Sequence, residues 1–106
     1  MSQNVKKHFH MLKYLCEAKP KTRRGVIKHC DSDLLDALCE CSLNILKGVV
    51  PLKPQEIKKL AKYKDNLLGL AKKSTSKRNK QDLLIKGGFL QALLTPLLSV
   101  LGGRLS

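Results

Sequence analysis

Tryptophan is absent from this chain of 106 residues, and its aromatic side chains are only Phe9, Tyr14, Tyr63 and Phe89. Single-strand recognition by base stacking needs a platform of rings, so that mode is disfavoured. Acidic residues are scarce as well, 8 against 21 Lys and Arg, leaving a net charge of +13. Nothing at the start, MSQNVKKHFH, has the apolar stretch of a secretory signal. The expectation is a protein made in the cytosol and not secreted, whose thiols stay reduced.

Catalytic patterns are missing too. His8, His10 and His29 belong to no legible Ser-His-Asp, Cys-His or paired-carboxylate arrangement. Asp33 and Asp36, near Ser32, read better as charges favoured at a helix start. We therefore expect no enzyme and assign no catalytic residue. Cys16, Cys30, Cys39 and Cys41 do not form a disulfide framework. On a helix Cys39 and Cys41 stand about 200° apart in projection and cannot clamp one ion. No metal or other cofactor is expected, and the cysteines read as small apolar residues.

What is present is positive charge, unevenly spread. Residues 1–30 carry +7, residues 31–50 carry −3, residues 51–86 carry +8, and Arg104 is the one charge thereafter. Such a balance favours anionic partners: nucleic acid, acidic lipid or an acidic protein. The candidate anion-binding residues are Lys6, Lys7, Lys13, Lys19, Lys21, Arg23, Arg24 and Lys28. Lys58, Lys59 and Lys62 follow, with Lys72, Lys73, Lys77, Arg78 and Lys80 after them. Most are lysine, a point charge, rather than the planar fork that reads guanine edges. DNA or another polyanion would then be gripped by its phosphates, non-specifically and with steep salt dependence.

The hydrophobic pattern is helical nearly throughout. Val5, Phe9, Leu12 and Cys16 make one stripe, and Lys19-Pro20 ends it. Thr22 is a candidate cap for a helix carrying Val26, Ile27 and Cys30. Asp31-Ser32-Asp33 opens a helix with Leu34, Leu35, Leu38, Ser42, Ile45 and Leu46 on one face, and Gly48 stops it. Pro54 starts another run, with Ile57, Leu60, Ala61, Leu67, Leu68 and Ala71. The expected fold is all-α, a small bundle of three to four amphipathic helices, then a basic hinge and a short apolar C-terminal helix. The division is a bundle over residues 1–73, a hinge with a Gly-Gly joint over 74–88, and a tail over 89–106.

Seventeen uncharged residues, GGFLQALLTPLLSVLGG, follow Lys86. That is short of the about 20 residues a membrane span needs. Phe89, Leu90, Leu93, Leu94, Leu97, Leu98 and Leu101 make an apolar face, opposite Gln91, Ala92, Thr95 and Ser99, and Pro96 should kink or interrupt the helix. This face could enter a bilayer, dock in a partner's groove or fold back over the bundle. So large an apolar surface does not stay in water.

The run Lys77-Arg78-Asn79-Lys80-Gln81-Asp82-Leu83-Leu84-Ile85-Lys86-Gly87-Gly88-Phe89-Leu90, with Ala92-Leu93-Leu94 and Pro96-Leu97-Leu98, resembles a family pattern. It is similar to small basic proteins of Polinton/Maverick elements and adintoviruses, themselves likened to the adenovirus core protein called protein X, or mu. The specific part covers residues 77–103. The resemblance implies a non-enzymatic virion protein packaged with the genome, present in host nucleus or cytoplasm during assembly, with a tail engaging membrane or capsid. It also implies a substrate of an adenovirus-type maturation protease. Ile85-Lys86-Gly87-Gly88 fits such a site, with the cut before Phe89; Val100-Leu101-Gly102-Gly103 matches loosely. Unlike the arginine-rich, largely unstructured adenovirus protein, residues 4–73 here read as a folded bundle, which argues against a purely DNA-condensing role. The alternative is a helical interaction module whose tail docks in a partner groove.

Overall fold

The computed structural model describes residues 3–103, all of whose regular structure is helical. In chain order the helices are α1 (Gln3–Lys7), α2 (Phe9–Glu17), α3 (Pro20–Lys28) and α4 (Ser32–Leu46). α5 (Pro54–Ala61), α6 (Lys64–Ala71), α7 (Lys77–Gly87) and α8 (Leu90–Gly103) complete the set. The expected all-α fold is therefore present, divided into more and shorter helices than the hydrophobic pattern suggested.

Local chemistry explains the boundaries. The Asp31 carboxylate accepts the Leu34 N–H at 2.9 Å and caps α4. At the other end Gly48 takes φ +73°. The Gly48 N–H reaches Ile45 O and the Val49 N–H reaches Asn44 O, closing the left-handed turn that glycine permits. Pro54 occupies the first turn of α5. α3 differs from expectation: it begins at Pro20, with extended Lys19 before it and no side-chain cap. Proline's fixed φ already suits the first helical turn, so Thr22 lies inside the helix and does not cap it.

Two breaks redistribute the expected stripes. Non-helical backbone at His8 separates α1 from α2, and Val5, Leu12 and Leu15 are the buried residues there, with Phe9 and Cys16 half-buried. Tyr63, also outside helical geometry, separates α5 from α6. Leu60, Leu67 and Leu70 turn inward, whereas Ile57 and Leu68 stay exposed.

The largest departure concerns the C-terminal segment. α8 packs against α2, α4 and α5, and α7 packs against α3, α4 and α6. Phe89, Leu93, Leu94 and Leu97 are wholly buried and Leu90 nearly so, while Leu98 and Leu101 are half-buried against the same core. Residues 74–88 are not a hinge: most of them form a packed helix, whose start Ser76 caps through the Asn79 N–H at 3.2 Å. The described part of the tail packs into the same hydrophobic core as the helices before it. Arg104 and the two residues after it lie outside the described residues. The radius of gyration, 12.6 Å, agrees with the about 13 Å of one domain this size.

A helix with a broad apolar face and no charge is stable in water only when that face is covered, and α8 is such a helix. Fully burying four large side chains contributes on the order of 10 kcal/mol, as much as the whole net stability of a typical small domain. α8 also runs through Pro96 without interruption. Among the described residues no single helix is long and apolar enough to cross a membrane; α7 and α8 pass only as a pair, bent by 95°.

Candidate functional site

The Gly-Gly joint produces the corner between α7 and α8. Gly88 adopts φ +65°, the left-handed region that L side chains rarely enter. Gly87 is held for a different reason: a Cβ there would come within 2.5 Å of the Phe89 ring and 2.8 Å of Asn66 Nδ2. Phe89 then stacks on Tyr63, centroids 5.8 Å apart and planes inclined 29°. In this folded form the proposed scissile bond between Gly88 and Phe89 has its C-terminal side chain sealed in the core. Ile85 is half-buried and Lys86 is exposed. A protease that reads an extended segment has no access to this bond until α8 leaves the core.

The corner also assembles basic residues remote in sequence. α3 and α7 pack antiparallel. Gln81 Nε2 donates to Ile27 O at 3.1 Å, Lys77 acts electrostatically on Cys30 at the end of α3, and Arg23 and Arg24 share a cleft with Leu84 and Ile85. In this packing Lys28 lies toward the Lys77 end of α7 and Arg24 toward Leu84; Lys21, Arg24, Lys28, Lys77 and Arg78 are all exposed. Arg23 is half-buried, and its Nε donates to Ala18 O at 3.2 Å, which fixes the guanidinium.

Two clefts meet over the first turns of α8. One, of about 260 Å³, is lined by Arg23, Arg24 and Pro20. The other, of about 450 Å³, is lined by Lys59, Lys62, Tyr63, Thr95 and Glu56. Gly88 and Gln91 line both, so the clefts adjoin on either side of the polar strip of α8. The hydrophobic pattern puts Gln91 and Thr95 on the tail's weakly polar side but gives them no role; only folding α8 inward turns that side into a floor between basic walls.

Other candidates lie elsewhere. Lys7 Nζ sits 3.8 Å from the Asp33 carboxylate, both groups well exposed, and Lys77 Nζ donates to Ser32 Oγ at 3.3 Å. The acidic start of α4 thus has lysines beside it. Lys80 is half-buried, and its charge acts on the Cys39 thiol of α4. Lys6, Lys13, Lys19, Lys58, Lys72 and Lys73 are exposed and line neither cleft.

Cys30, Cys39 and Cys41 are unlike reactive thiols. Burial raises the Cys41 thiol to about 12, with Glu40 adding to the effect, and burial also raises Cys30 and Cys39. Among the described residues no group of three or more His, Cys, Asp or Glu is placed to hold a metal ion. No family model matches this chain, and no curated protein or solved structure was found to match it.

Proposed function

We propose that this protein binds nucleic acid non-specifically, through phosphate contacts made by the basic side that α3 and α7 build together. The observation that carries the reading is the antiparallel packing of those helices. It joins two basic clusters whose linking residues, Ile27 and Gln81, stand 54 positions apart. With 21 cations and 8 acids, at least 13 of the cations have no carboxylate to pair with one to one. Their surplus is a field that polyanions lower.

A binding role is favoured over a catalytic one because the conspicuous polar groups have structural work. Asp31 caps α4, Glu56 accepts the Lys53 N–H, and Cys41 is buried with its proton held. A tail that inserts in a membrane, or docks in a partner's groove, is favoured less. Its apolar side chains fill the core, and presenting them outward means unfolding the domain. The resemblance of residues 77–103 supplies a setting for the proposal: a virion protein of a DNA transposon or virus, packaged with its genome.

The test is fluorescence anisotropy of the full chain with labelled duplexes of unrelated sequence, at about 50 and 200 mM salt. Affinities equal across sequences, and lower by about tenfold or more at the higher salt, are expected. Absence of binding at the lower salt contradicts the proposal.

A further inference from the structure

We propose that the two adjoining clefts over α8, which meet at Gln91 with Arg23 and Arg24 lining one and Lys59 and Lys62 the other, form a seat for a phosphate group. The inference rests on the nucleic-acid reading and places one contact of the bound polymer.

The walls supply four cations, Arg23 and Arg24 from α3 and Lys59 and Lys62 from the end of α5 and the residue after it, and Glu56 is the one acid lining either cleft. Its Oε1 already accepts the Lys53 N–H at 2.8 Å, which draws the carboxylate to the start of α5. Arg23 is pre-set: its Nε is committed to Ala18 O, leaving its two terminal nitrogens to meet an anion in the planar fork that phosphate oxygens match. Lys59 and Lys62 add mobile point charges from the opposite side.

The floor is selective in what it can donate. Thr95 Oγ1 gives its proton to Gln91 O at 2.7 Å, and Cys16 Sγ lies 3.6 Å from the same hydroxyl. The Thr95 hydroxyl is therefore occupied, and the exposed Gln91 amide is the neutral donor at the junction. The chemistry recognised is a phosphate oxygen set, taken either from a nucleic-acid backbone or from free polyphosphate.

The experiment uses two variants of equal charge change. Gln91→Glu puts a carboxylate at the junction; it is exposed and lies in the first turn of α8, where negative charge suits the helix dipole, so the fold tolerates it. Gln3→Glu makes the same change on α1, outside both clefts. Duplex affinity at about 50 mM salt should fall about tenfold for Gln91→Glu and less than about twofold for Gln3→Glu.

Amide shifts of the wild-type chain titrated with duplex, and separately with tripolyphosphate, identify the source. Movement at Gln91 with duplex alone assigns the seat to backbone phosphate, and movement with both assigns it to phosphate in either form. Equal loss in the two variants, or an unmoved Gln91 in a wild-type chain that binds duplex, overturns the seat and leaves the broader proposal standing. A wild-type chain that binds no duplex overturns both.

Discussion

Phe89 lies over Gly87 so closely that a single added carbon on Gly87 would stand 2.5 Å from its ring. This contact turns the chain through the corner between α7 and α8 and commits the apolar segment to the interior. Gly87→Ala must push the ring or the helix aside, at about 1–3 kcal/mol. Gly88→Ala should cost roughly 1–2 kcal/mol for its left-handed backbone. Urea denaturation of both variants measures this, and wild-type stability in either would show that the corner is not held as described.

The same burial makes a prediction about proteolysis. An adenovirus-type protease should cut the native chain between Gly88 and Phe89 far more slowly than it cuts a peptide of residues 81–96. Destabilising the domain should accelerate the cut. Intact mass against time measures both rates, and equal rates for chain and peptide would show α8 to be outside the core.

Leu94 is wholly buried in α8. Leu94→Ala should destabilise by about 2–5 kcal/mol, and a chain ending at Lys86 should not fold cooperatively. Thermal unfolding by circular dichroism decides this. A truncated chain that melts as sharply as the full one would restore the tail as a separable segment.

Ser42 is the one buried polar side chain among the described residues, and its Oγ donates to Leu67 O at 2.7 Å, tying α4 to α6. Ser42→Ala removes that bond at about 1 kcal/mol. Chemical denaturation of the variant should show a lower midpoint with an unchanged slope.

Cys41 gives the alkaline behaviour. Its thiol, pushed up to about 12 by burial, keeps its proton in the folded chain over a range where the unfolded chain has lost it. The unfolded state then binds fewer protons, so the Cys41 contribution to stability falls as pH rises from about 9 toward 12. Below about 9 the thiol is protonated in both states and contributes no pH dependence. The slope of stability against pH over about 9–11 should be steeper for wild type than for Cys41→Ala, and identical slopes would contradict it.

The fold class was legible because helical signals are local. Asp31 capping three residues ahead, Gly48 closing a turn and Pro54 opening one each act within a few positions. The breaks at His8 and Tyr63 were not legible, since Tyr63 leaves helical geometry where its ring meets Phe89, far along the chain. The fate of α8 lay between these cases. Its lack of charge shows that something must cover it, but not whether the cover is lipid, a partner or the chain itself. The candidate site was legible as charge and not as place: lysine-rich runs were plain, whereas Gln91 acquires meaning only once α8 lies between α3 and α5.

The most direct test of the central claim is the slope of log affinity against log salt for duplex binding. It should be compared between wild type and a variant carrying Arg24→Gln, Lys28→Gln, Lys77→Gln and Arg78→Gln. A control neutralises Lys6, Lys13, Lys64 and Lys72, the same number of charges elsewhere. Every phosphate that the variant no longer neutralises should flatten the slope by about 0.9. The α3–α7 variant should flatten by several such steps and the control by less than one. Equal flattening in the two would mean that binding follows net charge alone, and would contradict a binding face built by α3 and α7.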